Sequence, residues 1–471
     1  MGTCSPPVRF RIALLPVARQ DVLVGMLDAY TLGGTQMKAQ TLMLTTVLLL
    51  TFRALSGQNA DLAIVGGMLI DGNEGTPIQN SVVLISGERI TAVGQEGTIA
   101  IPAGTEIVDA NGKTVLPGLI ESHAHLMIIG HGEYSEYFPR YEDRILEIMR
   151  LSAEQLIYAG VTTARDVGAP LEPSVRVREE INAGEIVGPR VYVSGPFIVR
   201  DFGEYDEYFQ VKVNSVEEAR QAAIDIIEGG ADLLKPWGII FPEDLKVIVE
   251  EAHRRGKTVA THGGAVERIR ADVEAGVNSI EHFPGGSKNY IEEESIRLIV
   301  DSGTWIVPTW NGGPIYYWTL QFPERLDNPL LKEFLPEDLY ADVRGSLDHF
   351  QRLGYFRGGK GNPAPYRDKL MQLYNAGANI ALGTDSGTPM NFHYEAMWQQ
   401  MKLWVDYGMD PMHVLTAATR NGAELLEIDN ELGTVEPGKL ADIIVVDGNP
   451  LMDMMALRNP VRVIKGGRIL K

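Results

Sequence analysis

The chain alternates short hydrophobic runs with amphipathic segments from about residue 116 to residue 431. The hydrophobic runs are rich in Val, Ile, Leu and Ala, as buried strands are, and eight are centred near Leu116, Val161, Val191, Leu233, Val259, Ile280, Ile306 and Ala381. The segments between them have helical apolar spacing, and several end on glycine, such as Gly256 and Gly276. Strands and helices in this rhythm predict parallel strands joined by right-handed helical crossovers.

A second pattern, rich in strands and poor in helices, flanks this region. Residues 60–115 alternate β-branched runs with glycine-containing turns, which is typical of a strand-rich module. A similar pattern returns in residues 432–471, in the segments ADIIVVDG and VRVIKGGRILK. We therefore expect one small β-sandwich domain built from both termini, with the strand–helix region 116–431 inserted between its two parts.

The first 59 residues have a separate character. Residues 37–59 begin with Met37 and Lys38, continue through an apolar core from about residue 42 to residue 52, and end in small residues, as a secretory signal peptide does. The core is shorter than the ~20 residues that span a bilayer. Residues 1–36 are interpreted as an upstream extension of the reading frame. We expect a secreted or periplasmic protein that is free of the membrane after processing, with a retained hydrophobic anchor as the alternative.

Charge and cysteine content narrow the possible partners and ligands. The sequence has 42 Lys and Arg against 62 Asp and Glu, a net charge of -20. Such a surface repels phosphate groups and anionic lipids, so we expect neither nucleic acid nor a membrane as a partner. The single cysteine, Cys4, excludes an intrachain disulfide and a cysteine-ligated metal site. The remaining metal ligands are His, Asp, Glu and a modified Lys.

Potential metal ligands stand at the ends of the hydrophobic runs. His123 and His125 are two positions apart, so on a strand their side chains point the same way. Four later runs end in further candidates: Lys235, His262, His282 and Asp385. In a (β/α)8 TIM barrel the carboxyl ends of the strands carry the active site. The order of residues therefore predicts an α/β fold of this barrel type, with a cluster of ligands at its mouth.

At these positions the chain resembles the amidohydrolase superfamily of metal-dependent barrel hydrolases, over about residues 61–471. The segments GVTTARDVG, VEAGVNSIEHF and ALGTDSG are most similar to its prolidase-like and imidazolonepropionase-like branches. The resemblance implies two divalent metal ions, and nitrogen and oxygen donors suit zinc. It also implies the ligands: His123, His125 and Asp385 for the more buried ion, His262 and His282 for the other, and a carboxylated Lys235 as the bridge.

The same resemblance implies hydrolysis of a carbon–nitrogen bond by water that the metals activate, with Asp385 as general base and then general acid. The expected substrate is a small-molecule amide, namely an N-acyl amino acid or a small peptide, as for an amidase or carboxypeptidase. A cyclic-amide hydrolase of the imidazolonepropionase type is the alternative enzyme. A non-catalytic binding protein is the alternative from another class, and the complete ligand set disfavours it. We expect a homo-oligomer.

Aromatic residues crowd the loops that follow the predicted strands and indicate a substrate with bulky apolar or aromatic groups. The candidate substrate-binding residues are Tyr134, Trp237, Trp310 and His393. Packing of the loops against one another is the alternative explanation for the aromatic residues. Arg268 lies on the helix after His262, where the pattern favours a solvated face and a substrate carboxylate is the alternative contact.

Overall fold

The computed structural model describes residues 60–201, 209–238, 240–264, 266–282, 289–309, 312–352 and 364–471. They belong to one compact unit, Asn59–Lys471. The predicted upstream extension and signal peptide, residues 1–59, lie outside the described residues, and so does Trp310. None of the helices in the described ranges combines the length and hydrophobicity that crossing a membrane requires.

The elements alternate along the chain much as the hydrophobic pattern predicts. The strands are β1 Leu62–Val65, β2 Met68–Leu69, β3 Ser81–Ser86, β4 Arg89–Gln95, β5 Glu106–Asp109, β6 Lys113–Pro117, β7 Leu119–Ala124, β8 Val161–Asp166, β9 Arg190–Val193, β10 Phe197–Val199, β11 Gln210–Lys212, β12 Leu233–Leu234, β13 Thr258–His262, β14 Ser279–Glu281, β15 Trp305–Val307, β16 Ile443–Asp447, β17 Arg462–Lys465 and β18 Arg468–Ile469. The helices are α1 Tyr134–Tyr141, α2 Ile145–Tyr158, α3 Leu171–Asn182, α4 Val216–Glu228, α5 Pro242–Arg254, α6 Val266–Ala275, α7 Glu293–Ser302, α8 Gly312–Gln321, α9 Pro329–Phe334, α10 Glu337–Ser346, α11 Ala364–Asn375, α12 Ala396–Asp406, α13 Pro411–Ala417 and α14 Arg420–Leu425.

Strands from the two ends of the described chain form two mixed sheets. One sheet has the order β4-β3-β1-β5, and the other has the order β18-β17-β16-β6-β2. In the second sheet, β16 pairs antiparallel with β6, so that a strand near the C-terminus is hydrogen-bonded to one near residue 115. A shared hydrophobic core joins the sheets and includes Ile64, Val83, Val115, Ile443 and Ile464.

The boundary expected between residues 115 and 116 falls inside β6. Leu116 pairs with Ile444 and Pro117 pairs with Ile443, so the whole strand belongs to the sheet with the C-terminal strands. Gly118 then connects β6 directly to β7. A Cβ atom on Gly118 would lie 2.2 Å from the side chain of Thr162, so a glycine is needed at this close approach.

The strands that alternate with helices form three parallel sheets, β7-β8-β9, β10-β11 and β12-β13-β14-β15. Near Ala381 the structure has an extended segment instead of the expected eighth strand, with a parallel bridge between Ile306 and Ile380. Backbone hydrogen bonds connect these edges: Asp232 N to Val193 O, 2.8 Å, Ala381 N to Ile306 O, 3.1 Å, and Ser122 N to Leu382 O, 3.0 Å. The described residues thus give three parallel sheets and a linking segment where one continuous barrel sheet was expected.

The helix boundaries follow the capping signals of the sequence. Helix α4 begins after Ser215, whose hydroxyl accepts a hydrogen bond from the backbone N–H of Glu218 at 3.1 Å. Gly256 follows α5 and Gly276 follows α6, with φ angles of +64° and +85°. Both glycines therefore end their helices in the left-handed conformation that glycine adopts at low cost, as predicted.

Candidate active site

The parallel strands end on one side, and the six predicted ligands lie together there. His123 is on β7 and His125 directly follows it, with their ring centroids 5.3 Å apart. His262 ends β13 and His282 follows β14, and the ring of His282 lies 4.6 Å from that of His262 and 4.8 Å from that of His123. Lys235 follows β12, where its charge acts on the rings of His123 and His262.

Asp385 lies beside His123 and His125, the two histidines at the end of β7. Its Oδ1 lies 3.1 Å from Nε2 of His125 and 3.5 Å from Nε2 of His123. Within the described residues, these three side chains form the one group of three or more His, Cys, Asp or Glu residues whose ligand atoms all lie within 4.8 Å of one another. One ion therefore fits between these three side chains.

The backbone at the site is held in an uncommon conformation. Asp385 has a φ of +59° and His282 a φ of +62°, values that non-glycine residues adopt at an energetic cost of about 1–3 kcal/mol each. The backbone N–H of Asp385 donates to the carbonyl of His123 at 2.8 Å, which fixes the loop against β7. A Cβ atom on Gly383 would lie 2.7 Å from that of His123, so the small residue beside Asp385 allows the close approach.

A buried carboxylate, Glu281, orients His123 from behind. Its Oε2 lies 2.6 Å from Nδ1 of His123, and neither side chain is exposed. Arg165 donates from Nη2 to both oxygens of Glu281 at 2.7 and 2.8 Å, and the hydroxyl of Ser279 donates to Oε1 at 2.5 Å. Because an ionised carboxylate can only accept, Nδ1 of His123 carries the proton and Nε2 keeps its lone pair for a metal.

A second buried carboxylate, Glu121, joins β7 to the segment that carries Asp385. Glu121 accepts hydrogen bonds from the backbone N–H of His123 and of Thr384, both at 2.9 Å, and from the Thr384 hydroxyl. Burial raises the pKa of Glu121 to about 8. Asp166, at the end of β8, accepts from the N–H of Leu126 at 3.1 Å. Glu121, Glu281 and Arg165 escaped the sequence analysis because each acts across strands.

The donor atoms of the cluster fit metal ligation. Nε2 of His123, Nδ1 of His125, Nδ1 of His262 and Nζ of Lys235 are all buried without a hydrogen-bond partner, and such atoms are costly unless something binds them. Burial lowers the pKa of His262 to about 3 and holds the pKa values of His123 and His282 well below their usual range. The rings are therefore neutral, which is the form that binds a metal.

A comparison with known protein families identifies the family of the chain that carries this cluster. Residues 114–470 match the model of the amidohydrolase family. The chain belongs to the amidohydrolase family. It is therefore a hydrolase of amide bonds, and metal dependence is typical of this family.

The proteins that this amidohydrolase resembles carry several enzyme names. Ochratoxinase from Aspergillus niger is 27% identical over 464 residues, covering 87% of this chain and 86% of the relative. Imidazolonepropionase from Geobacillus kaustophilus is 23% identical, covering 83% and 90%. The crystal structure of a Xaa-Pro dipeptidase with bound methionine in its active site is 26% identical and superposes with a TM-score of 0.70, covering 87% and 99%. These similarities support a TIM-barrel-like α/β fold.

A continuous row of aromatic rings leads away from the histidines of the amidohydrolase. The ring of Trp237, which is partly exposed, lies 5.5 Å from that of His262 and stacks on Phe197 at 5.5 Å. Phe209 lies 5.5 Å beyond Phe197, and the row continues through Phe138 at 5.0 Å and Tyr134 at 5.7 Å. Two of the four predicted substrate-binding residues, Trp237 and Tyr134, thus belong to one row of packed rings, which we call the aromatic row; Trp237 is partly exposed and the other rings are buried. Phe197 and Phe209 were not predicted.

His393, another predicted substrate contact, is fully buried and bonded within the protein. Its Nδ1 lies 2.8 Å from the hydroxyl of Ser386, and its Nε2 lies 3.1 Å from the carbonyl of Ile128. Both nitrogens are occupied, so the ring has no polar atom for a substrate. It instead ties the loop after Asp385 to the loop after His125. This contact could not be deduced from a loop position alone.

Proposed function

We propose that this amidohydrolase cleaves the amide bond of an N-acyl amino acid or a small peptide that carries bulky apolar or aromatic groups. The observation that carries the proposal is the junction of a cluster of unpartnered metal-binding atoms with the aromatic row, through the contact between His262 and Trp237. The names of two relatives, ochratoxinase and Xaa-Pro dipeptidase, agree with an amide substrate that releases an amino acid or peptide fragment.

We assign the cluster two divalent ions, most simply zinc. His123, His125 and Asp385 would hold one ion, and His262 and His282 would hold the second. When bound, such ions polarise the scissile carbonyl and lower the pKa of water toward ~7. Arg165 and Glu281 keep His123 in the tautomer that leaves Nε2 available, and Asp385 orients His125 by its 3.1 Å contact.

Lys235 suits the role of the bridging ligand after carboxylation. Its amine is buried and unpartnered, and burial lowers its pKa to about 8, so that about a tenth of it is neutral at pH 7. A neutral amine attacks carbon dioxide to form an N–C bond and releases one proton, which gives an anionic carbamate with two oxygen donors. An ammonium group could not serve, since it has no lone pair.

Proton transfer is the task we assign to Asp385. Its carboxylate faces the histidine cluster and is about 15% exposed, so it lies at the boundary between the buried ligands and the open side of the site. There it can accept a proton from the attacking water and deliver it to the departing nitrogen, which must be protonated to leave. One residue then acts as base and as acid in a single turnover.

We propose four further features of the protein. The hydrogen bonds between the edges of the parallel sheets support a (β/α)8 barrel, and the mixed sheets from the two ends support a separate β-sandwich domain. We also propose a homo-oligomer. The export signal is proposed from residues 37–59 alone, and terminal sequencing of exported protein should find a mature start between residues 56 and 61.

A cyclic-amide hydrolase of the imidazolonepropionase type is the second candidate function, favoured by the relative of that name. The two candidates differ in what the site must accept, because a ring-opening reaction releases no separate amine. Side-by-side turnover of N-acyl amino acids, dipeptides and imidazolone propionate separates them. The main proposal fails if the metal-replete enzyme turns over the cyclic substrate and none of the others.

The metal content of the protein tests whether Lys235 bridges two ions. We expect about two divalent ions per wild-type chain by elemental analysis, and we expect Lys235→Ala to lose activity together with part of the metal, since the bridging donor is gone. The matched control is Lys369→Ala, another buried lysine, which should retain the metals. A wild-type content of at most one ion, unchanged in Lys235→Ala, excludes the bridged pair.

A further inference from the structure

Arg268 lies beside the proposed metal cluster, where the loops after β12 and β13 meet. It is in the first turn of α6, six residues after His262, and its Nη1 donates to the carbonyl of Gly238 at 2.7 Å. Gly238 is the residue directly after Trp237, so this hydrogen bond holds the guanidinium next to the start of the aromatic row. Its positive charge also acts on the buried Lys235 and on His262.

The guanidinium is not on a solvated helix face, contrary to the helical pattern. Its side chain is 20% exposed, whereas that of Arg270, two residues further along α6, is 54% exposed. The Nε of Arg268 forms an ion pair with the buried Asp272 at 3.4 Å, an (i, i+4) contact that anchors the side chain. Two of its three nitrogens are therefore committed to holding it in place.

The third nitrogen of Arg268 has no partner. Nη2 is buried and forms no hydrogen bond, which is rare for a guanidinium and costly in a low-dielectric setting. Arginine has only donors to offer, so the missing partner must be an acceptor. An anionic oxygen is the strongest acceptor, because a charge-assisted hydrogen bond is worth roughly twice a neutral one.

We propose that Nη2 of Arg268 binds the α-carboxylate of the leaving amino acid, and that this contact restricts the enzyme to substrates with a free carboxylate on the amine side. This inference rests on the proposed function. An amino acid carries its side chain and its carboxylate on the same carbon atom, and Arg268 is fixed beside Trp237. The two residues therefore contact the two groups of one leaving amino acid.

Two matched ligands test the contact. N-benzoyl-L-phenylalanine has the carboxylate, and N-phenethylbenzamide is the same amide without it. Wild-type enzyme should favour the first in kcat/KM by about tenfold to a hundredfold, the range for a hydrogen bond to a charged group. Arg268→Gln should abolish most of that preference, Arg268→Lys should retain part of it, and the exposed control Arg270→Gln should keep all of it. Circular dichroism and metal content establish that each variant is folded and loaded.

Direct binding gives a readout that does not depend on turnover. In zinc-loaded Asp385→Asn protein, calorimetric titration with N-benzoyl-L-phenylalanine should give a Kd that rises at least about tenfold when Arg268→Gln is added. An unchanged Kd, or no binding in either protein, overturns the carboxylate site. If binding depends on Arg268 while the wild-type enzyme cleaves neither ligand, the carboxylate site stands and the proposed function fails. Should Arg268→Gln not fold, Arg268→Lys and Arg270→Gln carry the same comparison.

Discussion

At the scale of single residues, the site depends on a few side chains that each do more than one thing. Asp385 contacts two histidines, has a left-handed backbone and is surrounded by residues small enough to admit β7. Glu281 holds one of those same histidines from the opposite side. Substitutions of Asp385 and Glu281 therefore distinguish three roles: orientation of the histidines, metal binding and proton transfer.

Asp385→Asn should keep the fold and lower turnover by at least ~100-fold, the usual loss when general acid–base help is removed. The fold should survive because Asn is among the residues that best tolerate a positive φ. Steady-state kinetics with metal analysis of the same sample measure the effect. Near-wild-type turnover by metal-replete protein would contradict the role of Asp385.

Glu281→Gln should weaken metal binding by about 10–100-fold, as other changes to groups behind metal ligands do. The amide would present a donor where Arg165 and Nδ1 of His123 both donate, so the histidine would lose its fixed tautomer. Chelator competition measures the affinity. Glu395→Gln is the control, because Glu395 is also buried and paired with an arginine, Arg325, without contact to the ligands. Equal losses in both variants would mean that burial, and not orientation, is responsible.

The ligands themselves could be predicted from the sequence, since each ends a hydrophobic run. The buried side chains that orient these ligands could not be predicted. Glu281 stands next to His282 in the chain and yet serves His123, and Arg165 reaches Glu281 across 116 residues. Such pairings depend on which strands become neighbours. Arg268 was expected on a solvated face because helical periodicity describes one helix and takes no account of the loop after Trp237.

At the scale of elements, the aromatic row shows how several short segments bring their side chains into one row of packed rings. Its rings come from α1, β10, the residue before β11 and the loop after β12. The sequence indicated crowding of aromatic residues in loops, and it could not indicate that Phe197 stacks on Trp237. Among the predicted elements, the eighth strand agrees least with the structure. Residues 380–386 are held by isolated bridges and loop hydrogen bonds.

Trp237→Ala should reduce the preference for bulky apolar substrates over small polar ones by about tenfold in kcat/KM. Removing the indole exposes apolar surface on the bound substrate, and burying such a group contributes roughly 1.5–3 kcal/mol when complete. Zinc content should not change. Trp398→Ala, which removes a tryptophan that contacts Arg458 instead of the aromatic row, should leave the ranking intact. An unchanged ranking in Trp237→Ala would assign the row to loop packing.

At the scale of the whole molecule, buried histidines make stability depend on pH. Burial lowers the pKa of His393 to about 4 and that of His262 to about 3, while unfolded histidines titrate near about 6.5. Between these values the unfolded chain binds more protons, so the native state loses stability as the pH falls below about 6.5. Above that pH the contribution of these groups is fully present.

The expected slope for one fully buried neutral histidine is about 1.4 kcal/mol per pH unit between pH 4 and 6.5. Urea unfolding of chelator-treated protein at pH 7.5, 6 and 5 measures the total. His393→Gln should reduce the slope because one proton-linked group is removed, whereas the exposed control His253→Gln should not. A slope that His393→Gln leaves unchanged would argue against a neutral His393 in the folded state.

The pairing of β6 with β16 has a consequence for biosynthesis. The register joins Thr114 to Val446 and Val115 to Val445, and Gly118 is the only residue between β6 and the strand that carries His123. Translation proceeds from the N-terminus, so the ribosome makes the partner strand some three hundred residues after β6. The first histidines of the cluster therefore emerge on a segment whose neighbour does not yet exist. The edge of β6 that later pairs with β16 therefore stays without this partner until the final few dozen codons have been read.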